Sequence, residues 1–205
     1  MSRTDVIAAE INASRVIAPE VIAIGCSLGG LNALKVVLGG LHPDLTQAVV
    51  VCCHTAGAVD VLCRLLDSHS SLEVIEAGER HAVAGGIAHV APGGYHLLVE
   101  NDRHFALSVD DPVCFSRPSI DVMFDSVAEV YLSAAIGVIL TGASRDGAEG
   151  LARIRSCGGI AVVQTPAGAE APAMPQAALE TAGADHCLPL EEIPALLNRL
   201  CMRSP

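Results

Sequence analysis

The stretch Val21-Ile-Ala-Ile-Gly-Cys-Ser-Leu-Gly-Gly30 carries the reading of the fold. Its first five residues are apolar or glycine without a break, the pattern of a strand covered on both faces rather than on one. Gly25, Gly29 and Gly30 then allow a sharp turn, and the apolar spacing over 30–39 is helical. Strand, tight turn and helix in that order form the opening unit of a parallel α/β sheet.

Outward from this unit the same alternation recurs. Continuous apolar runs predict strands over 48–53, 73–76, 136–140 and 160–164 and a short one over 186–188. Amphipathic spacing predicts helices over 59–67, 120–131, 147–156, 175–181 and 191–200. The middle departs from the rhythm: 87–91, 95–100 and 104–109 are strand-like with no helix between them. The last two are joined by Asn101-Asp102-Arg103, a turn whose first two residues tolerate left-handed backbone. This reads as an antiparallel excursion at one edge of the sheet, at about 87–109. Ser116 is expected to cap the helix after Arg117-Pro118, with Asp121 in its first turn. The expected fold is an α/β doubly wound, mostly parallel sheet with helices on both faces. Residues 1–19 read as an N-terminal tail or linker remnant and 20–205 as one domain.

Composition narrows the function. The 205 residues are 51% hydrophobic and 17% charged, with 19 Gly, two Tyr, three Phe and no Trp, which suits a close-packed α/β core. Twelve basic against 23 acidic residues give a net charge of -11, the wrong sign for neutralising phosphates, so nucleic acid is not an expected partner. Arg3, Asp5, Glu10 and Arg15 interrupt any signal-like apolar segment. No run approaches the roughly 18 residues that cross a bilayer. A cytoplasmic protein without membrane insertion is expected. The eight cysteines then read as free thiols, since Cys52 and Cys53 are adjacent and most others sit in apolar runs. No metal site is expected, because Cys52, Cys53 and His54 are consecutive on a strand and face alternate sides.

In a doubly wound sheet ligands gather past the carboxyl ends of the strands. There the sequence places Ser27, in a G-x-S-x-G turn, His54, and Asp146 in Thr141-Gly142-Ala143-Ser144-Arg145-Asp146. A hydroxyl too weak to attack alone, a base to take its proton and an anion to orient that base make a nucleophilic triad. Each has a plainer reading as well: Ser27 as a helix cap, His54 as a strand-end histidine satisfied by backbone, and Asp146 as the cap of the helix at 147. A dinucleotide-binding turn would want G-x-G-x-x-G and an acidic residue at the end of the second strand, where this chain has Ser27 and His54. An ordinary α/β-hydrolase needs strands before its serine and the order Ser, Asp, His.

Six segments in order are similar to the catalytic domain of the chemotaxis protein-glutamate methylesterase family, the CheB type. They are VIAIGCSLGGLNAL (21–34), the strand ending in His54, HVAPGGYHLLV (89–99), SRPSIDVMFDSVAEVY (116–131), GVILTGASRDGAEG (137–150) and AMPQAALETAGAD (173–185). The resemblance implies Ser27 as nucleophile, His54 as general base and acid, and Asp146 as orienting carboxylate. It also implies an oxyanion donor at the Ala143 amide and no cofactor; the N-terminus of the helix after Ser27, at Leu28, offers a second donor, and Arg117 reads either as lining the substrate groove or as a surface salt bridge. The implied reaction is hydrolysis of γ-glutamyl methyl esters on methyl-accepting chemotaxis receptors, with glutamine deamidation in some members.

Three departures stand out: Leu28 where the family has Thr after its serine, Ala143 where it has Met, and Thr55-Ala56 where Met-Pro is frequent. They leave open a second reading, a catalytically weak or inactive methylesterase-like domain acting as a signalling or binding module. The family's receiver domain, roughly 120 residues, does not fit ahead of Val21, so control by a separate receiver-domain protein in trans is the expectation. An acidic receptor segment would require basic residues near Ser27, for which Arg117 and Arg145 are the candidates.

Overall fold

The structure is a computed structural model describing residues 18–54 and 58–202. The expected tail lies almost wholly outside these residues, as do Thr55 and Ala56. Among these residues nine strands and six α-helices follow one another. The first half holds β1 (Val21–Cys26), α1 (Gly30–Gly39), β2 (Ala48–Cys53), α2 (Val59–Asp67), β3 (Glu73–Glu76), β4 (Ile87–Val90), β5 (His96–Val99) and β6 (Phe105–Ser108). The second holds α3 (Ile120–Tyr131), β7 (Ala135–Ile139), α4 (Ala148–Ser156), β8 (Ile160–Gln164), α5 (Ala173–Thr181), β9 (His186–Leu188) and α6 (Ile193–Cys201).

Seven strands form one parallel sheet in the order β3-β4-β2-β1-β7-β8-β9. Strand alternation sends neighbouring side chains to opposite cores. Ile22, Ile24, Val49 and Val51 meet α1, α2 and α6 on one face, while Val21, Ala23, Ala48 and Val50 meet α3, α4 and α5 on the other. Burial of every residue of β1 and β2 explains why their sequences show no polar alternation. At Gly137 in β7 a Cβ would lie 2.7 Å from Leu151 Cδ1 and 2.8 Å from Ile154 Cδ1, so glycine there sets how closely α4 approaches the sheet.

The antiparallel excursion is present as the β5–β6 pair, with His96 opposite Ser108 and Val99 opposite Phe105. It begins later than the apolar runs suggested, because β4 pairs in parallel with both β2 and β3 inside the main sheet. The hairpin also lies over a face rather than at an edge: Leu97, Val99 and Phe105 share a core with α3, and the Val99 amide donates to Ser126 Oγ at 3.1 Å. The eight cysteines are free, four of them buried. Cys53 and Cys52 fall into opposite cores, as consecutive strand residues must. Among the described residues no helix is long and apolar enough to cross a membrane.

Candidate active site

Backbone pairing continues one residue past the strand ends. The His54 amide donates to the Cys26 carbonyl at 3.1 Å and the Ser27 amide to the Thr141 carbonyl at 2.9 Å. Ser27 is therefore fixed between His54, past β2, and the loop that follows β7. The turn after Ser27 is closed by the Gly30 amide on the Ser27 carbonyl at 2.8 Å, and Gly29 takes φ 80 as the N-cap of α1 with no side-chain cap. Glycine is required there, since a side chain would combine left-handed backbone with a Cβ 2.8 Å from Glu170. The Ser27 hydroxyl is thus not used as a helix cap.

Ser27, Leu28, Gly29, Cys53, His54 and Glu170 line a cavity of about 400 Å³. A second cavity, about 230 Å³, opens at the opposite ends of the strands beside Glu20, Gln47 and Arg103; its lining has no serine, cysteine or histidine.

His54 reaches from the first cavity to a buried carboxylate, its Nε2 lying 2.8 Å from Asp146 Oδ2. Asp146 is fully buried, and each of its oxygens accepts two hydrogen bonds. Oδ2 takes His54 and the Ile120 amide at 2.7 Å; Oδ1 takes Ser119 Oγ at 2.8 Å and the Asp121 amide at 3.0 Å. Burial works to raise this carboxyl, but the His54, Asp121, Ile120 and Ser119 bonds outweigh it and hold the group below its ordinary value. An ionised carboxylate only accepts, so Nε2 carries the imidazole proton and the Nδ1 lone pair is left for the cavity side. On Nδ1 the structure places Ser116 Oγ at 3.3 Å. Among the described residues Ser27 forms no hydrogen bond to His54; apo catalytic pairs commonly tighten only with substrate.

Two capping expectations are corrected here. Asp146 does not cap α4, whose N-cap is Gly147 at φ 96 without a side-chain bond; its carboxylate lies on the N-terminus of α3, where orphan amides and the helix dipole favour an anion. Ser116 does not cap α3 either. Ser119 does, accepting from the Val122 amide while donating to Asp146. The sequence showed the Ser-Arg-Pro-Ser spacing but not which serine the turn would present to the helix.

The remaining candidates are placed as follows. Leu28 is 57% exposed at the cavity, and among the described residues its amide and that of Ala143 donate no hydrogen bond, leaving both free to meet an oxyanion. Ala143 is exposed in the loop after β7 and is not a wall of the cavity. Arg117 is also outside it: Nη1 donates to the Val109 and Asp110 carbonyls at 2.8 and 3.1 Å. Arg145, in the loop before α4, pairs with Glu149 in the first turn of α4 at 3.2 Å. Both arginines expected to greet an acidic substrate are thus engaged.

Three supporting residues escaped the sequence reading. Thr141 Oγ1 donates to the Leu28 carbonyl at 2.9 Å and accepts the Ala171 amide at 2.8 Å, fixing the turn that carries Ser27. Gln164, at the end of β8, accepts the Thr141 amide at 2.8 Å. Fully buried His96 accepts the Ser119 amide on Nδ1 at 3.2 Å and donates Nε2–H to the Asp111 carbonyl at 3.2 Å. Nothing in a single sequence distinguishes such strand-end polar residues from caps.

Cys114, Asp121 and Asp146 bring three ligand-type atoms within 4.8 Å of one another. The group does not suit a cation: all four Asp146 acceptor directions already face N–H or O–H donors, and Asp121 Oδ1 accepts the Gly150 amide at 2.7 Å. Asp121 is instead a second buried carboxyl beside an ionised one. Burial raises it, the Gly150 amide opposes, and the Asp146 charge adds to the rise, pushing it up to about 6. The folded state therefore binds more protons than the unfolded chain between about pH 4 and 6, and stability falls as pH rises through that window. Asp121→Asn keeps the acceptor for Gly150 and removes the charge. Its urea midpoint should be close to wild type at pH 4 and exceed it at pH 8 by the equivalent of about 3 kcal/mol. Equal midpoints at both pH values would show that Asp121 carries no such burden.

Comparison with known proteins bears on the fold and the family. A family profile described as CheB methylesterase matches residues 22–197. A Leptospira interrogans protein named for protein-glutamate methylesterase and protein-glutamine glutaminase activity is 44% identical over 182 residues, covering 88% of this chain and 94% of the relative. A similarly named protein of Symbiobacterium thermophilum is 37% identical over 181 residues, of whose length this chain spans 50%. The crystal structure of the Thermotoga maritima CheB methylesterase catalytic domain superposes with a TM-score of 0.85 at 32% identity, covering 90% of this chain and 100% of that one. Fold, order of segments and extent of match place this chain in the CheB methylesterase family.

Proposed function

We propose that the chain is a serine hydrolase that removes methyl esters from glutamate side chains of methyl-accepting chemotaxis receptors and deamidates receptor glutamines. The observation that carries the chemistry is His54, one edge bonded to a buried ionised carboxylate and the other facing the cavity that Ser27 lines. Ser27 Oγ attacks the ester carbonyl as its proton passes to His54 Nδ1. The tetrahedral oxyanion is met by the Leu28 amide, with the Ala143 amide as the second donor. Collapse expels methanol, protonated by His54, and leaves a glutamyl-Ser27 ester. Water then gives its proton to His54 Nδ1 and attacks; Ser27 leaves with that proton, and glutamate is released. With glutamine the first leaving group is ammonia.

No residue in this route requires a cofactor. Asp146 holds the imidazole in the productive tautomer and stabilises the imidazolium without taking its proton. The protein partner is the receptor, and a separate receiver-domain protein is the proposed regulator in trans. The hydrogen bonds that join Asp146 to His54 and to the start of α3 support the catalytic reading, and the inactive-module reading is the outcome against which it is tested.

The test is methanol release from receptor-containing membranes carrying labelled methyl esters, run beside labelling with a fluorophosphonate. Release that is lost in step with labelling is expected, with the phosphonyl mass on the Ser27 peptide. A well-folded protein that neither releases methanol nor takes the label would favour the module.

A further inference from the structure

Three phenylalanines occur in the chain, and they are treated very differently. Phe105 and Phe124 are wholly buried, whereas Phe115 is 104% exposed. It sits in a two-residue turn closed by the Val113 amide on the Ser116 carbonyl and the Ser116 amide on the Val113 carbonyl, at 3.2 and 2.9 Å. Both central residues have left-handed backbone, Cys114 at φ 49 and Phe115 at φ 62. Such turns ordinarily use Asn or Gly, which reach that region at little cost. Here the backbone is strained and an aromatic ring is left in water, so neither local energetics nor the core accounts for the residue.

The turn's location does account for it. The next residue, Ser116, places its Oγ 3.3 Å from His54 Nδ1, so Phe115 is the chain neighbour of a residue that touches the catalytic-type base. Leu28, which follows Ser27 and lines the cavity, is the other large apolar side chain left exposed beside the site. The loop is also held stiffly: Arg117 clamps the Val109 and Asp110 carbonyls, and His96 clamps the Asp111 carbonyl to the start of α3. An apolar group presented on a braced loop loses little entropy when it binds.

We propose that Phe115 is a specificity-determining contact for the protein substrate, packing against an aliphatic or aromatic side chain that neighbours the glutamyl ester. This rests on the functional reading above and adds how a chain of net charge -11, with Arg117 and Arg145 engaged, grips its substrate: through apolar contact flanking a neutral ester. It also assigns Arg117 a positioning role through the loop.

The experiment compares receptor membranes with p-nitrophenyl acetate, a small ester that cannot reach the rim. Phe115→Ala should raise KM for receptor by about tenfold or more while acetate turnover stays within about twofold of wild type. Phe115→Leu should keep receptor KM within about threefold, because an apolar side chain suffices. Phe115→Gly should match Ala on receptor yet melt at or above the wild-type Tm, since glycine relieves the strained backbone. Unchanged receptor KM in Phe115→Ala overturns the proposal. So does an equal fall on both esters, which would make the turn a support for His54. Wild-type enzyme active on acetate but silent on receptor would instead sink the assigned substrate, and this contact with it.

Discussion

Ser27→Ala is expected to lower methanol release by about 10⁴-fold or more, with no change in folding and complete loss of fluorophosphonate labelling. The magnitude follows from its place in the proposed route: without Oγ no acyl-enzyme forms, and only the oxyanion donors remain to assist water. The fold should not notice. The amide of Ser27 still donates to Thr141, its carbonyl still accepts Gly30, and its side chain caps no helix. Ser116 supplies the internal control. Among the described residues its hydroxyl is the one that hydrogen-bonds to His54, so a label that survives Ser27→Ala and disappears in Ser116→Ala would transfer the nucleophile to the loop before α3. With Ser27 as nucleophile, Ser116→Ala should retain activity within about tenfold, since it removes one long hydrogen bond to the free edge of the imidazole.

The parts of the fold that were legible are those where packing writes directly into sequence. β1 and β2 are buried on both faces and read as unbroken apolar runs; α2 and α4 bury one stripe and read as helices. β4 was harder. Four residues between Gly86 and Ala91 look the same whether they enter a parallel sheet or start a hairpin, and only pairing with both β2 and β3 decides it. At the site, Ser27 and His54 were legible because a parallel sheet brings strand ends together. The environment of Asp146 was not, because its ligands come from a helix that begins 26 residues earlier in the chain. Arg117 illustrates the general difficulty: a charged residue near a motif suggests a ligand, while its actual partners are two backbone carbonyls that no spacing rule predicts.

Asp146→Asn tests that hidden environment. It should cut turnover by about 10³- to 10⁴-fold, the scale seen when an orienting carboxylate becomes an amide and the imidazole is held in the wrong tautomer. The structure adds a stability cost that an exposed triad acid would not show. Oδ2 faces the His54 ring nitrogen and the Ile120 amide, and Oδ1 faces Ser119 Oγ and the Asp121 amide. An Asn side chain has one acceptor oxygen and one NH2, so either rotamer sets that NH2 against a backbone N–H at the start of α3. Leaving a buried amide unsatisfied costs about 1–3 kcal/mol, and losing an anion from the helix N-terminus about 0.3–1 kcal/mol more. Because the Asp146 carboxyl is held below its ordinary value, its contribution is present above about pH 4 and is lost as pH falls through the folded-state value. The difference in urea midpoint between wild type and variant should therefore be full at pH 7 and shrink in acid. A variant with wild-type stability at pH 7 but lost activity would mean that α3 finds other acceptors and that Asp146 serves His54 alone. A variant with wild-type activity would remove Asp146 from the triad.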